Sequence, residues 1–268
     1  MVSTAGIQFN PLSNNLYSIP KAQILFKPQG SDTFELLGDS DEVTVEPTVE
    51  ETERYTNEAG IRLLALTIVT QVDATVNLTL VQLNDRNRAL SLLGALGAAT
   101  QTAVVGKVKN ITAVKTDGSI YQLDGDFDVK NVVITDGVAA ETYVEGTDYR
   151  VDRAGGFIQF NSTPAGADAD VIITYDTVEV LAADKRAKIG LANRTENRGT
   201  LVIRGTNEVG PRLMLTLHDV QIRPSGERNY ISESDFDTIE VVGRVFRDEN
   251  QPTGFELGFE QELARDLT

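Results

Sequence analysis

The chain of 268 residues contains no cysteine. That excludes a disulfide framework and a zinc site built on thiolates. Positive charge is scarce as well: 24 Lys and Arg stand against 40 Asp and Glu, a formal net charge of −16. Phosphate backbones are bound mainly through Lys and Arg, so tight nucleic-acid binding is not expected, although DNA could pass close by without sticking. No apolar run reaches the roughly 18 residues that a membrane-spanning helix needs, and no membrane insertion is expected. The opening MVSTAGIQFNPLSNNLYSIPK has neither a basic head nor an apolar stretch and predicts no signal peptide.

Histidine occurs once, as His218, beside Asp219. The chain has no G-x-S-x-G elbow, and neighbours on a strand point to opposite faces, so Asp219 is badly placed to orient the ring. DGDFD, from Asp124 to Asp128, alternates acids like the start of a calcium loop. It then offers Val129 where glycine is needed and Thr135 where glutamate is needed. Gly94 to Gly97 lacks the lysine of a phosphate loop. Asn77, Asn110, Asn161 and Asn193 each begin an Asn-x-Thr triplet, a chance match in a chain without a secretory signal. No catalytic residue, metal or cofactor is expected.

What is present is strand pattern. LALTIVTQVDATVNLTLVQLNDRNRALSLLG runs from Leu64 to Gly94. Leu64, Leu66, Ile68, Val72, Val76, Leu78 and Leu80 alternate with Thr67, Gln71, Asp73, Thr75, Asn77 and Thr79. Period two predicts a half-buried strand. Its length fits one long strand or two joined by a bend near Gln71–Asp73. A short helix over about 85–93 follows, capped by Asn84 or Asp85 and closed by Gly94.

Upstream, Ile24–Lys27 and Phe34–Leu37 flank PQGSD as a hairpin. Residues 39–60 read as a strand holding Val43 and Val45 that runs into a long loop, with Pro47 confined to an edge. Residues 101–180 have their own character. Lys130–Thr135, Tyr149–Val151, Phe157–Phe160 and Val171–Tyr175 predict short strands, with Ala154-Gly155-Gly156 as a turn. This is a β-rich insertion between 1–100 and 181–268. Thr200–Arg204, Leu213–Arg223 and Thr238–Arg247 continue the main sheet, with SESDFD as a polar loop and the tail after Phe255 mobile or pinned by a neighbour.

Charge is uneven. Residues 39–58 hold eight acids against one base, and residues 184–228 hold nine bases against five acids. A solvated acidic face and pairing inside one subunit both account for this. So does a head-to-tail contact between copies. On the last reading, Glu46, Glu50, Glu51 and Glu53 would meet Arg194, Arg198, Arg212 and Arg228.

The order LLGDSDEVTVEPTVEETERYTNEAG, LTIVTQVDATVNLTLVQLNDRNRALSLLG, YVEGTDYRVDRAGGFIQF and LHDVQIRPSGERNYISESDFDTIEVVGRVFRD resembles the major tail (tail tube) proteins of long-tailed bacteriophages. The resemblance spans about Leu36 to Asp248. It implies a mainly β fold, a tail-tube-type sandwich or barrel of sheets with one short flanking helix. It implies homohexameric rings that stack into a hollow tube within the virion tail, assembled in the host bacterial cytoplasm. It implies a tape measure protein in the bore, tail terminator and distal tail proteins at the ends, and passage of DNA at ejection without specific binding. By similarity, 39–60 is the segment that bridges rings. The face of Thr67, Gln71, Asp73, Thr75, Asn77 and Thr79 carries no Lys or Arg and suits a lumen on which DNA slides. Two rivals fit parts of the pattern: a surface β-sandwich adhesin, and an enzyme gathering His218 with distant acids.

Overall fold

The computed structural model describes residues 17–57, 60–112, 118–137, 141–161 and 170–264. The start of the chain that bears on a signal peptide, Glu58 of the acidic segment and the last four residues lie outside them. The chain is mainly β, with antiparallel sheets and, among the described residues, one short α-helix. It divides into two compact units, residues 1–96 with 189–268, and residues 97–188. The divisions read from sequence were 100/101 and 180/181.

The first unit is built on one eight-stranded sheet. Its strands are β1 (Ala22–Pro28), β2 (Glu35–Leu36), β3 (Ser40–Thr56), β4 (Leu63–Leu80), β13 (Arg198–Gly205), β14 (Arg212–Pro224), β15 (Ile239–Phe246) and β16 (Gly258–Leu263). The order is β2-β1-β13-β14-β15-β4-β3. β14 is long enough to pair with β16 along Arg212–Leu217 and with β15 along Asp219–Pro224, both on the edge that β13 leaves open. The tail expected to be mobile or pinned by a neighbour is held along Gly258–Leu263 by its own sheet. Gly258 allows this, since a Cβ there would lie 2.3 Å from the carbonyl of Thr216.

One face of the sheet buries Ile24, Phe26, Leu78, Leu80, Leu201, Val220, Ile222 and Val241. The helix α1 (Asp85–Ser91) closes this core with Ala89 and Leu90. Seven residues make a helix too short to persist alone, so tertiary packing must hold it. Asn84 caps it by accepting the Asn87 N–H at 2.8 Å. Asn87 is fully buried and donates to the carbonyls of Leu37 and Gln82 at 2.6 and 2.8 Å, tying the helix to the segments that follow β2 and β4. The left-handed residue that ends the helix is Leu93, at φ 47°, and not Gly94. Gly94 is required for a different reason: a Cβ there would sit 2.0 Å from the Gly190 carbonyl.

The segment expected to run into a long loop over 39–60 is instead a strand from Ser40 to Thr56. β3 has 17 residues and pairs with β4, which has 18, along almost its whole length. β3 is the last strand of the sheet, so Pro47 costs no ladder hydrogen bond on a neighbour's side. β4 is one strand without the bend at Gln71–Asp73, but its ladder slips between Glu50 and Glu51, leaving Thr70 as an extra residue. The Thr70 hydroxyl donates to the Glu50 carbonyl at 3.1 Å across this bulge.

The second unit packs two three-stranded sheets. One holds β7 (Ile120–Gln122), β10 (Phe157–Phe160) and β9 (Tyr149–Asp152); the other holds β6 (Val104–Ile111), β11 (Val171–Thr177) and β8 (Val129–Asp136). Leu123, Ile134, Ile158, Phe160, Ile173 and Tyr175 form its core. β5 (Leu96–Ala98) and β12 (Ala187–Ile189), the two crossings of the chain, pair with each other.

The Tyr175 phenol is held well above its ordinary value of 10.0, first by burial and then by donating to Asp126 at 2.7 Å. Burial likewise raises Tyr149 and Tyr143. A raised phenol favours the neutral form in the folded state. Its contribution is intact below pH 10.0 and falls as pH climbs above that, because the unfolded chain ionises first. We predict that alkaline titration unfolds the second unit together with a cooperative rise in phenolate absorbance. A gradual, non-cooperative rise with the unit still folded would contradict this.

Candidate assembly surface

Residues opposite one another in a ladder share a face. On β4, Val76, Leu78 and Leu80 face the core, and Asn77 lies on the other face with Thr75 and Thr79. Asp73 and Gln71 continue that polar face opposite Thr48 and Glu50. The bulge at Thr70 then exchanges the faces. Gln71 lies opposite Glu50 but Val69 lies opposite Glu51, and Glu50 and Glu51 point to opposite sides. Thr67, opposite Glu53, therefore lies on the apolar side with Val69 and Val72, away from the other five residues expected beside it. The single polar face read from strict alternation is thus five residues long, not six.

The acidic quartet divides in the same way. Glu46 and Glu50 stand opposite Thr75 and Gln71 on the polar face, while Glu51 and Glu53 stand opposite Val69 and Thr67 on the other. Glu53 accepts from the Tyr55 hydroxyl at 2.6 Å, and this bond is the chief cause of the raised Tyr55 phenol.

The polar face is not free of cations once neighbouring strands are included. Arg244 lies opposite Thr75, and Gln221 and Arg198 complete that row. Arg223 lies opposite Val242, which is opposite Asn77. Arg223 and Arg244 are exposed. Glu42, Glu46, Glu50, Asp73, Asp219 and Glu240 share the face and outnumber these bases.

Three of the four expected basic contact residues are engaged inside the first unit. Arg198 grips Asp219 with two bonds, Nε–Oδ1 at 2.6 Å and Nη2–Oδ2 at 2.5 Å, and stacks 4.6 Å from the Phe246 ring. Arg212 Nε donates to the Asn207 carbonyl at 2.9 Å. Arg228 donates to Ser91 Oγ at 3.2 Å. Arg194 is exposed, with no ion-pair partner among the described residues. Asp219 is thus taken by Arg198 and not by His218, whose ring packs 5.6 Å from Phe259. The acids of DGDFD are also spoken for. Asp124 bonds Lys109, Asp126 bonds Lys107 and Tyr175, and Asp128 bonds Arg186. The Lys109 bond holds the Asp124 carboxyl below its usual range.

The dominant feature is the outer part of the β3–β4 pair. β15 pairs with β4 only from Thr75 to Leu80. Among the described residues Leu63–Ala74 pair with β3 alone, an arm roughly 40 Å long at about 3.3 Å per residue. A two-stranded ribbon is marginal by itself in water. This one and its turn expose nine large apolar side chains between Val49 and Val72, among them Leu63, Leu64, Leu66, Ile68 and Val69 at 50–53 %. Leu66 and Ile68 lie on one face and Val69 and Val72 on the other, so both faces are apolar.

The sequence pattern of one family matches residues 23–259. The chain belongs to the family described as "Protein of unknown function UCP028589". That match takes in the arm and most of both units, and it ends at Phe259, the second residue of β16. No curated protein matches the chain. No helix among the described residues is long and apolar enough to cross a membrane.

Sequence reasoning missed the bulge, because periodicity carries no mark of one extra residue. It also missed Arg244 and Arg223 as neighbours of Thr75 and Asn77, since register between distant strands is set by tertiary pairing. The Arg198–Asp219 clamp is half-buried and bidentate, which makes it stronger than an ordinary surface pair. A double-mutant cycle with Arg198→Ala and Asp219→Ala should give a coupling of about 1 kcal/mol by urea denaturation. A coupling near zero would show the clamp to be ornamental.

Proposed function

We propose that the protein is a self-assembling structural subunit of the tail-tube type. Copies form hexameric rings, and the rings stack into a hollow tube in a virion tail. The arm Leu63–Ala74 with its β3 partner reaches an adjacent copy. The polar face of Gln71, Asp73, Thr75, Asn77 and Thr79 lines the bore, where acids exceed bases and phosphate finds little to bind. A tape measure protein would fill the bore before DNA passes. Terminator and distal tail proteins would close the ends.

The observation that carries this reading is the arm. Among the described residues no third strand pairs along Pro47–Tyr55 or Leu63–Ala74, and both faces of the arm are apolar, so it is built to be covered. Nine exposed side chains, each worth about 1 kcal/mol on full burial, offset a large part of an association cost of about 4–15 kcal/mol. An arm folding back on its own sheet would instead have hidden these side chains within one copy.

Negative-stain electron microscopy of the purified protein should show rings or tubes. Val69→Asp with Val72→Asp places two charges on the side of the arm that neighbours cover. This variant should keep the circular dichroism of the wild type but remain monomeric. Tubes of normal length from the variant, or a monomeric wild type at high concentration, would refute the proposal.

A further inference from the structure

A second surface points to a specific contact between copies, and it involves neither the arm nor the polar face. The loop between β14 and β15, Ser225–Thr238, presents Phe236 and Ile231 at 94 % exposure and Tyr230 at 74 %. Phe236 and Ile231 are the most exposed large apolar side chains among the described residues of the first unit, yet the loop that carries them is held. Ser225 N–H donates to the Glu240 carbonyl at 3.0 Å, and Asp235 N–H to Ser232 Oγ at 3.1 Å. Arg228 underpins it, stacked 5.0 Å from the Tyr230 ring and 3.7 Å from Asp237. A large aromatic side chain fixed in water is a knob without its hole.

The same unit carries a hole. A cavity of about 310 Å³ opens beside α1, floored by Phe26, Ala89, Leu90 and Ile222. A cavity of about 150 Å³ with apolar walls already accepts a benzene ring, so this one has room for a phenyl group. Its walls include Arg194, an exposed cation without an ion-pair partner among the described residues. They also include Asn197, whose Nδ2 is buried with no acceptor there. A buried donor without a partner costs about 1–3 kcal/mol until an acceptor arrives.

We propose that the Phe236 side chain of one copy enters this cavity on a second copy. Asp235, next to it in sequence, meets Arg194 at the rim. Charge decides the occupant: the knob lies in the acidic stretch Glu233, Asp235 and Asp237, and the hole has a free arginine and an empty buried donor. Knob and hole are different surfaces, so the contact is heterologous and repeats from copy to copy, as a ring requires. The inference rests on the self-assembly reading and names one of its contacts.

The chain has no cysteine, so single-cysteine variants give an unambiguous test. Ser234→Cys puts a thiol beside the knob, and Ser31→Cys puts one on the cavity wall. Mixed and oxidised, the two variants should yield cross-linked heterodimer about ten-fold above either homodimer. Adding Phe236→Asp to the first variant should abolish the excess. A heterodimer yield no greater than the homodimers, or one that survives Phe236→Asp, overturns the contact. Wild-type tubes without the heterodimer would remove this contact and leave the tail-tube reading standing. Heterodimer without tubes would do the reverse.

Discussion

The ladder between β3 and β4 outruns the sheet that supports it. Near the core, β4 is flanked by β15 and backed by Leu78, Leu80 and α1, and its alternation is that of any half-buried strand. Beyond Thr75 the same ladder continues with none of the described residues paired on its far edge. Backbone pairing persists while burial stops. An isolated ribbon of this length, decorated with valine, leucine and isoleucine on both faces, has a favourable place only against other protein. Most of what is distinctive in the first unit follows from that mismatch between paired length and buried length.

The bulge at Thr70 shapes the arm further. By exchanging the faces, it ends the polar stripe at Gln71 and moves Leu66 and Ile68 onto the side that was polar. One strand thereby serves two purposes. Its inner part separates a core face from a water-facing one. Its outer part exposes apolar side chains on both sides. The acids follow, with Glu46 and Glu50 joining the polar stripe and Glu51 and Glu53 flanking the apolar residues of the tip. Charges interleaved with apolar groups on exposed strands restrain indiscriminate edge pairing, so a partner must match both patterns.

Much of the fold was legible because its signals are local. Val72 to Leu80 announce a strand by alternation, Asn84 announces the helix start, and Ala154-Gly155-Gly156 announces a hairpin. Pro47 correctly marks an edge. The rest depends on distant pairing. The acidic run at 39–56 looks like a loop until β4 supplies a partner of equal length. The tail looks loose until β14 proves long enough to hold β15 and β16 on one edge. For the candidate surface, the chemistry of Gln71, Asp73, Thr75, Asn77 and Thr79 was readable, but Thr67 was misplaced by one unseen residue. Arg198, Arg212 and Arg228 read as free cations in a basic segment, whereas Asp219, Asn207 and Ser91 take them up. Phe236, between two aspartates, read as part of a polar loop.

The central claim is that the arm is protected by neighbouring copies and not by its own sheet. Amide hydrogen exchange at Leu63–Ala74, followed as a function of protein concentration, tests it most directly. In dilute protein these amides should exchange rapidly while those of Val76–Leu80 stay protected. On assembly the arm should become as slow as the core. Equal protection of both stretches at every concentration would mean that each copy shelters its own arm, and the account would fail.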